Sequence, residues 1–288
     1  MTDSQAASVE ATVRRRSRTG QALRKPGFMI GVGIIGLSTL LAIFPSVFAP
    51  YDPNFIDYNA VRQPPSWAHP FGTDLLGRDS LSRVIWAYSV NMQMAVFATV
   101  FAFTIGVVVG ALVGYYRGVA DMIFGRLVDA IITFPFLVLV IAVVAVLGPG
   151  LVNMYIAITV VGWVYYARLM RAETIAQMGN DYAAAGRVMG YSNARIIFRH
   201  LLPNAITPVI VYWMTDMALA ILLGSSLGYL GLGAQPPQAE WGVLIAEGRN
   251  FITTAWWMSL MPGIAIVLTG LGFSLIGDGL ADLLRPRG

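Results

Sequence analysis

The stretch DYAAAGRVMGYSNARIIFRHLLPN, residues 181–204, interrupts a chain that otherwise reads as long apolar runs with short basic connections. Two short helical segments are expected here, joined at Gly190 and stopped at Pro203. Ser192 can cap the second, whose Ala194, Ile197, Phe198 and Leu201 recur at i, i+3, i+4 and i+7. Arg195 and Arg199 share another face, with His200 beside them. On the first segment, Ala183, Ala184, Ala185 and Gly186 carry very small side chains, which lets another surface approach closely. Gly190 permits the bend, and Pro203 is expected to end the second helix as the chain turns back into an apolar run. Such a pair fits a knob that docks on a partner. It also fits a helix lying on a membrane surface, where Arg beside Ile and Phe is equally at home.

Outward from this loop, the composition sets the class. The 288 residues are 57% hydrophobic and 12% charged, with mean hydropathy +0.67. A soluble domain carries about twice that charge fraction, so the chain reads as an all-α integral membrane protein. It has no cysteine, which excludes disulfides, thiolate metal sites and Cys nucleophiles. The net charge of +4 resides in arginine clusters between apolar runs, a distribution that reports topology and not nucleic-acid binding.

A crossing needs roughly 20 apolar residues. One fits between Lys25 and Asp52, and a second between Arg83 and Arg117, with length to spare. The run from Ile131 to Tyr166 is too long for one crossing, and Gly148-Pro149-Gly150 divides it into a hairpin. A fifth falls within 205–232 and a sixth within 251–276, which gives six transmembrane helices. The expected organisation is a flexible basic cytoplasmic segment 1–26, a first transmembrane helix 27–49 and an extracytoplasmic segment 50–85. A core of five helices, 86–283, contains the cytoplasmic loop 171–204, and a tail follows over 284–288. With both termini cytoplasmic, only Arg62, Arg78, Arg83 and Arg249 fall outside, and the inverted topology would reverse that bias. The first apolar run is longer than the 7–15 residues or so of a signal-peptide core, which favours a retained helix.

Several short motifs invite other readings. Gly31-Val32-Gly33-Ile34-Ile35-Gly36 matches a dinucleotide fingerprint, but it lies inside an apolar helix where small residues serve close packing. Gly224-Ser225-Ser226-Leu227-Gly228 matches a serine-nucleophile pattern. The only histidines, His69 and His200, lie in opposite loops and cannot serve it as a base. Gly106, Gly110 and Gly114 line one helix face and call for a close helix neighbour, in this subunit or in a partner. Asp216 is the carboxylate placed well inside a crossing, so it is a candidate for the translocation path. No G-x-x-x-x-G-K-[ST] exists, and the single lysine is Lys25, so the chain holds no nucleotide triphosphate by itself.

Residues 181–204 resemble the EAA loop of ABC importer permeases, whose pattern is E-A-A, three residues, G, nine residues, I-x-L-P. With the glycine placed on Gly190, Ala185, Leu202 and Pro203 match. Ala184 stands in place of the Glu, Gly186 of the second Ala and His200 of the Ile. The stretches HPFGTDLLGRDSLSRV (69–84), RLVDAIITFPFLVLVIAVVAVLGPGLVN (126–153), YLGLGAQPPQAEWGVLIAEGR (229–249) and LIGDGLADLLRPR (275–287) are similar to one subgroup. That subgroup is the C-type permease subunit of dipeptide, oligopeptide and nickel importers. The resemblance implies a type I ABC importer permease fold (MetI-like) with an additional N-terminal span, in a bacterial inner membrane. It implies a second, different permease as heterodimer partner, two cytoplasmic ATPases that bind the ATP, and an extracytoplasmic solute-binding protein. No cofactor, metal or catalytic residue is expected in this chain, which would not itself be an enzyme.

The implied ATPase-coupling residues are Ala184, Ala185, Gly186, Gly190, His200, Leu202 and Pro203, to which the charges of Asp181, Arg187 and Arg195 are added as polar contacts. Asp52, Asp57, Asp74 and Asp79 make the outer segment a candidate docking edge for the binding protein. The resemblance leaves the solute open among dipeptides, longer peptides, nickel and glutathione. A self-sufficient secondary transporter or channel is the rival from another class. It would need several intramembrane ionisable groups.

Overall fold

Lipid offers no partner for a free backbone N–H or C=O, so an apolar chain of this kind must satisfy those groups within helices. The computed structural model describes residues 25–284, and its regular elements are helices, apart from a single bridge between Thr73 and Asp79. The basic segment 1–24, expected to be flexible, and tail residues 285–288 lie outside the described residues. The helices are α1 (Pro26–Ile43), α2 (Ser80–Tyr116), α3 (Gly118–Ile132), α4 (Phe136–Leu147) and α5 (Leu151–Met178). Then follow α6 (Asp181–Val188), α7 (Thr207–Tyr229), α8 (Trp241–Gly248) and α9 (Trp257–Leu284). Between α6 and α7 a further helix runs in three pieces: Asn193–Arg195, a π-helical stretch Ile196–Leu201, and Leu202–Ala205.

Four helices, α1, α2, α7 and α9, are long and apolar enough to cross a membrane. The third expected crossing is not one rod. The run that begins at Ile131 takes in only the end of α3 and then α4, a helix of 12 residues, and the two helices meet at 90° across Thr133, Phe134 and Pro135. Pro135 has no N–H to donate and biases the residue before it away from helix, which accounts for the break. The pair counts as a fifth apolar element if taken as one span. The remaining helix, α5, has the length for a crossing, but Asn153, Tyr155, Tyr165, Tyr166 and Arg168 dilute its apolar run.

The helix directions follow from who meets whom. Gly106 of α2 lies against Trp163 and Tyr166 of α5, Gly110 against Ala167 and Met170, and Gly114 against Arg171 and Thr174. The numbering rises together, so α2 and α5 run parallel. Parallel neighbours need a return between them, and α3 with α4 supplies it. Phe124 and Val128 of α3 pack with Val164 and Ala167, while Val140 and Val144 of α4 pack with Met154, Ala157 and Ile158. The two short helices thus retrace α5 back toward its start. By contrast α7 is antiparallel to α2: Trp213 Nε1 donates to Thr99 Oγ1 at 2.7 Å, and Ser225 meets Asn91 further on. Helix α9 is antiparallel to α7, with Gly277 beside Thr215 and Gly270 beside Ala218. It is also antiparallel to α1, whose Phe28 meets Gly279 and whose Gly31 meets Gly272 and Leu275. Lys25 Nζ and Asp282 Oδ2, 2.5 Å apart, bring the start of α1 and the end of α9 together.

The two glycine motifs resolve as packing. The stripe 106–110–114 is consumed within the subunit, because a Cβ at any of the three would press on α5 backbone. In the 31–36 motif only Gly31 faces a neighbour, whereas Gly33 and Gly36 have none within 4 Å. No strand precedes it among the described residues, so the dinucleotide reading fails.

The segment before α2 is ordered by buried charge. Asp74 Oδ2 accepts from Arg78 Nε at 2.6 Å and Arg83 Nη1 at 2.8 Å, and Arg83 also pairs with Glu247 of α8. Asp79 caps α2 by accepting the Ser82 N–H at 2.8 Å, while its other oxygen lies 2.9 Å from His69 Nδ1. Asp74 and Asp79 are therefore buried structural carboxylates and cannot be part of an exposed docking edge. Asp52 is exposed and Asp57 half-buried. Their side chains accept the N–H of Asn54 and Asn59, respectively.

The α2–α5 seam yields a stability test. Replacing Gly110 with Leu inserts a side chain where α5 backbone already sits, so it should destabilise the protein by more than the 1–3 kcal/mol or so typical of overpacking. Gly33→Leu, on an open face, should be tolerated. Thermal unfolding in detergent, followed by size-exclusion chromatography, separates the two. Equal stability of both variants would contradict the seam.

Candidate functional site

The loop 179–206 folds as a small domain on the ends of α2 and α5. Ala183 and Gly186 of α6 face inward, where Gly186 leaves room for Tyr191 and Ile196. Ser192 caps the second helix as its sequence suggests, accepting from Arg195 N at 3.4 Å. Gly190, at φ 73°, makes the turn in a region that costs other residues strain. The Tyr191 ring stacks on His200 at 5.6 Å between centroids and carries the Arg195 guanidinium 5.0 Å from its centre. Tyr115 of α2 donates to Asn193 Oδ1 at 2.8 Å, which ties the loop to the long helix.

Two expectations about the second helix change. The buried positions are Ile196, Ile197 and Leu201, whereas Phe198 is 46% exposed. The π-helical stretch 196–201 widens the turn, so an i, i+3, i+4 pattern no longer predicts which side faces in. Pro203 does not stop the helix. It sits in the first turn of Leu202–Ala205, the part of a helix where a missing N–H costs least.

The residues expected to couple to an ATPase then sort by position. Asp181, Ala184, Ala185, Arg187, Gly190, Arg195 and Pro203 are exposed. His200 and Leu202 are half-buried, and Gly186 is buried. The sequence reading missed the most prominent apolar side chains at the tip, Val188 at 89% and Met189 at 60% exposure. Their position just before Gly190 was the available signal: apolar residues at a turn on a polar loop have nothing local to cover them.

Inside the bundle, Asp216 accepts a hydrogen bond from the Tyr166 hydroxyl at 2.5 Å. Its partner is thus on α5, and not the Thr215 or Tyr212 that α7 offers locally. No arginine, lysine or histidine among the described residues lies within salt-bridge distance of it.

A second buried carboxylate, Glu240, went unnoticed in the sequence because it precedes the short α8 outside any apolar run. Its Oε1 accepts from Gly242 N at 2.9 Å and Ser225 Oγ at 2.8 Å, and its Oε2 from Val243 N at 3.0 Å. Burial pushes this carboxyl up, against the pull of those hydrogen bonds. Ser225 is the serine of the G-S-S-L-G motif. Gly228 in that motif vacates the space that the Glu240 carboxylate fills, and Gly242 meets the Ser225 carbonyl. The motif is therefore a docking seat for α8, with Ser225 enclosed and no histidine near it.

Comparison with known proteins adds the family. Residues 106–287 match the model described as binding-protein-dependent transport system inner membrane component, and residues 21–65 match the N-terminal TM domain of oligopeptide transport permease C. The chain is 42% identical over 254 residues to "Probable D,D-dipeptide transport system permease protein DdpC" of Escherichia coli, covering 88% of this chain and 85% of that protein. It is 40% identical over 260 residues to the dipeptide transport system permease protein DppC of Alkalihalophilus pseudofirmus (89% and 85% covered). It is 38% identical over 257 residues to the glutathione transport system permease protein GsiD of Pectobacterium atrosepticum (88% and 85% covered).

The Glu240 seat can be tested by isosteric replacement. Because Gly242 N and Val243 N donate to different oxygens, the single amide oxygen of Gln keeps only one of the two bonds, so Glu240→Gln should lose part of the stability that Glu240→Ala loses. Glu240→Ala should lose about 1–3 kcal/mol, since it leaves the capped N–H groups of Gly242 and Val243 unpaired in a buried site. Identical melting of the two variants would remove the capping role.

Proposed function

Since this chain belongs to the family of binding-protein-dependent transport system inner membrane components, we propose that it is one permease subunit of an ATP-driven importer for dipeptides or a closely similar small solute. The observation that carries this reading is the loop 179–206: an ordered knob, tied to two long helices, that presents uncovered apolar side chains. The names of the relatives give D,D-dipeptides, dipeptides and glutathione as solutes. Each of these molecules carries a primary ammonium group.

The chain crosses the membrane six times in this reading. Helix α1 goes out, α2 in, the α3–α4 pair out, α5 in, α7 out and α9 in. The parallel run of α2 and α5 supports it, because two parallel neighbours need one return crossing between them. The Lys25–Asp282 pair is consistent with an even number of crossings. Arginine placement sets the sign. Arg117, Arg126, Arg168, Arg171, Arg187, Arg195 and Arg199 cluster at the loop end, which is then cytoplasmic, and the opposite end holds Arg62, Arg78, Arg83 and Arg249.

With no phosphate-binding loop of its own, the subunit takes its energy from ATPase partners. Ala184, Ala185, Arg187, Val188, Met189 and Gly190 form the face that seats on an ATPase, with Asp181 and Arg195 as flanking charges. Gly186, His200 and Leu202 act from behind, by shaping the knob. Motion of the ATPases is passed on through the Tyr115–Asn193 bond and the α5–α6 continuity to the α2–α5 pair, which turns the bundle between outward and inward access. The pairing with a different second permease, the two ATPases and the docking of a binding protein on the outer segment belong to the same reading.

Coupling is testable at Ala185, whose exposed methyl can be enlarged without disturbing the loop core. Ala185→Trp should abolish solute uptake while the permease still folds, with ATPase co-purification reduced. Because the chain has no native cysteine, a single Met189→Cys should form a crosslink to an ATPase subunit. Uptake at the normal rate in the Trp variant, or capture of Met189→Cys only by lipid, would refute the seat.

A further inference from the structure

Asp216 is the tenth residue of α7, roughly 14 Å along its axis and so close to the middle of a crossing. It borders the exposed stripe of Thr215, Leu219 and Leu222. A carboxylate facing hydrocarbon is strongly disfavoured, so this face borders a wet path or a partner. The side chain is held, not loose. Tyr166 is completely buried, its position is fixed by the close approach of Gly106, and its hydroxyl points at Asp216 Oδ2. The other carboxylate oxygen has no hydrogen bond within the described protein. The Tyr212 ring stands against Tyr166 at 5.0 Å between centroids, on the same helix face one turn before Asp216. A fixed carboxylate beside an aromatic ring, with no cation of its own, has the chemistry that receives an ammonium group.

We propose that Asp216, oriented by Tyr166 and flanked by Tyr212, is an intramembrane docking point for the primary ammonium group of the solute in transit. The proposal rests on the import reading above and deepens it. It assigns this subunit a part in recognising the solute after delivery, through a group common to dipeptides and glutathione. Tyr166 is a positioning residue in this arrangement, because it fixes the carboxylate without offering charge.

The test uses the whole transporter, with its own permease, ATPase and binding-protein partners, in proteoliposomes. L-Ala-L-Ala, D-Ala-D-Ala and glutathione are supplied, and the N-acetylated form of whichever is taken up serves as control. Asp216→Asn should lower uptake of the free-amine solute about tenfold, the size of one charge-assisted contact. Stimulation of ATP hydrolysis by the loaded binding protein should remain, and Asp216→Glu should recover most of the transport. The N-acetylated solute should move at equal rates in wild type and Asp216→Asn. Tyr166→Phe should weaken uptake less than Asp216→Asn does. Normal uptake in Asp216→Asn would overturn the site. An equal loss for the acetylated solute, or loss of subunit assembly in Asp216→Asn, would assign the carboxylate to structure and overturn it too. A wild-type transporter that takes up none of the three solutes would instead sink the functional reading on which the site rests.

Discussion

The close approach of α2 and α5 is the constraint on which the rest of the bundle depends. In lipid, apolar side chains gain nothing from meeting each other over meeting acyl chains, so helix association relies on van der Waals contact and on backbones coming near. Gly106, Gly110 and Gly114 provide that approach, with α5 backbone occupying the space their side chains would fill. The consequence is a parallel pair of long helices. That pair forces the α3–α4 return, carries the loop 179–206 at one end and sets Tyr166 against Asp216 in the middle. At 37 residues, α2 is about 55 Å long, more than the roughly 30 Å of a hydrocarbon core, and its start packs into the ordered segment that precedes it.

Polar groups that cannot reach water are placed where they lock elements together. Asp74, Arg78, Arg83 and Glu247 link the segment before α2, the start of α2 and α8 in one largely buried cluster. A cluster like this need not add net stability, but breaking one member leaves the others uncompensated, which fixes the geometry. Glu240 does the same for α8 on α7, with Ser225 and two backbone N–H groups as partners. Asp216 differs from both. It is held by one tyrosine, with no salt-bridge partner among the described residues, and the proposed docking point rests on this contrast.

The loop 179–206 joins these two themes. Its core is small, built on Ala183, Ile196 and Leu201 with Tyr115, Met178 and Tyr191 around them. Its outer face keeps Val188, Met189 and Phe198 uncovered. A knob rigid inside and apolar outside can transmit a push from a partner without deforming. That is the property the proposed coupling role requires.

Much of this was legible in the sequence, because hydropathy and glycine spacing are local signals. The apolar runs determined the membrane class, Gly148-Pro149-Gly150 the turn between α4 and α5, Ser192 the cap and Gly190 the bend. The arginine distribution suggested an orientation, and the resemblance of 69–84, 126–153, 181–204, 229–249 and 275–287 to one family implied an importer permease. Other features needed the tertiary structure. The 90° angle between α3 and α4 and the π-helical turn at 196–201 that moves Phe198 outward were not legible, since hydropathy gives neither the angle of a break nor the local hydrogen-bond register. Whether Gly106, Gly110 and Gly114 served this subunit or another could not be read from their spacing, because a stripe does not name its neighbour. Asp74 and Asp79 looked like an acidic edge in one dimension and proved to be buried partners of Arg78, Arg83, His69 and the start of α2. Sequence determines which groups must be satisfied. Only the folded arrangement decides who satisfies them, because the partners are distant along the chain and meet through packing.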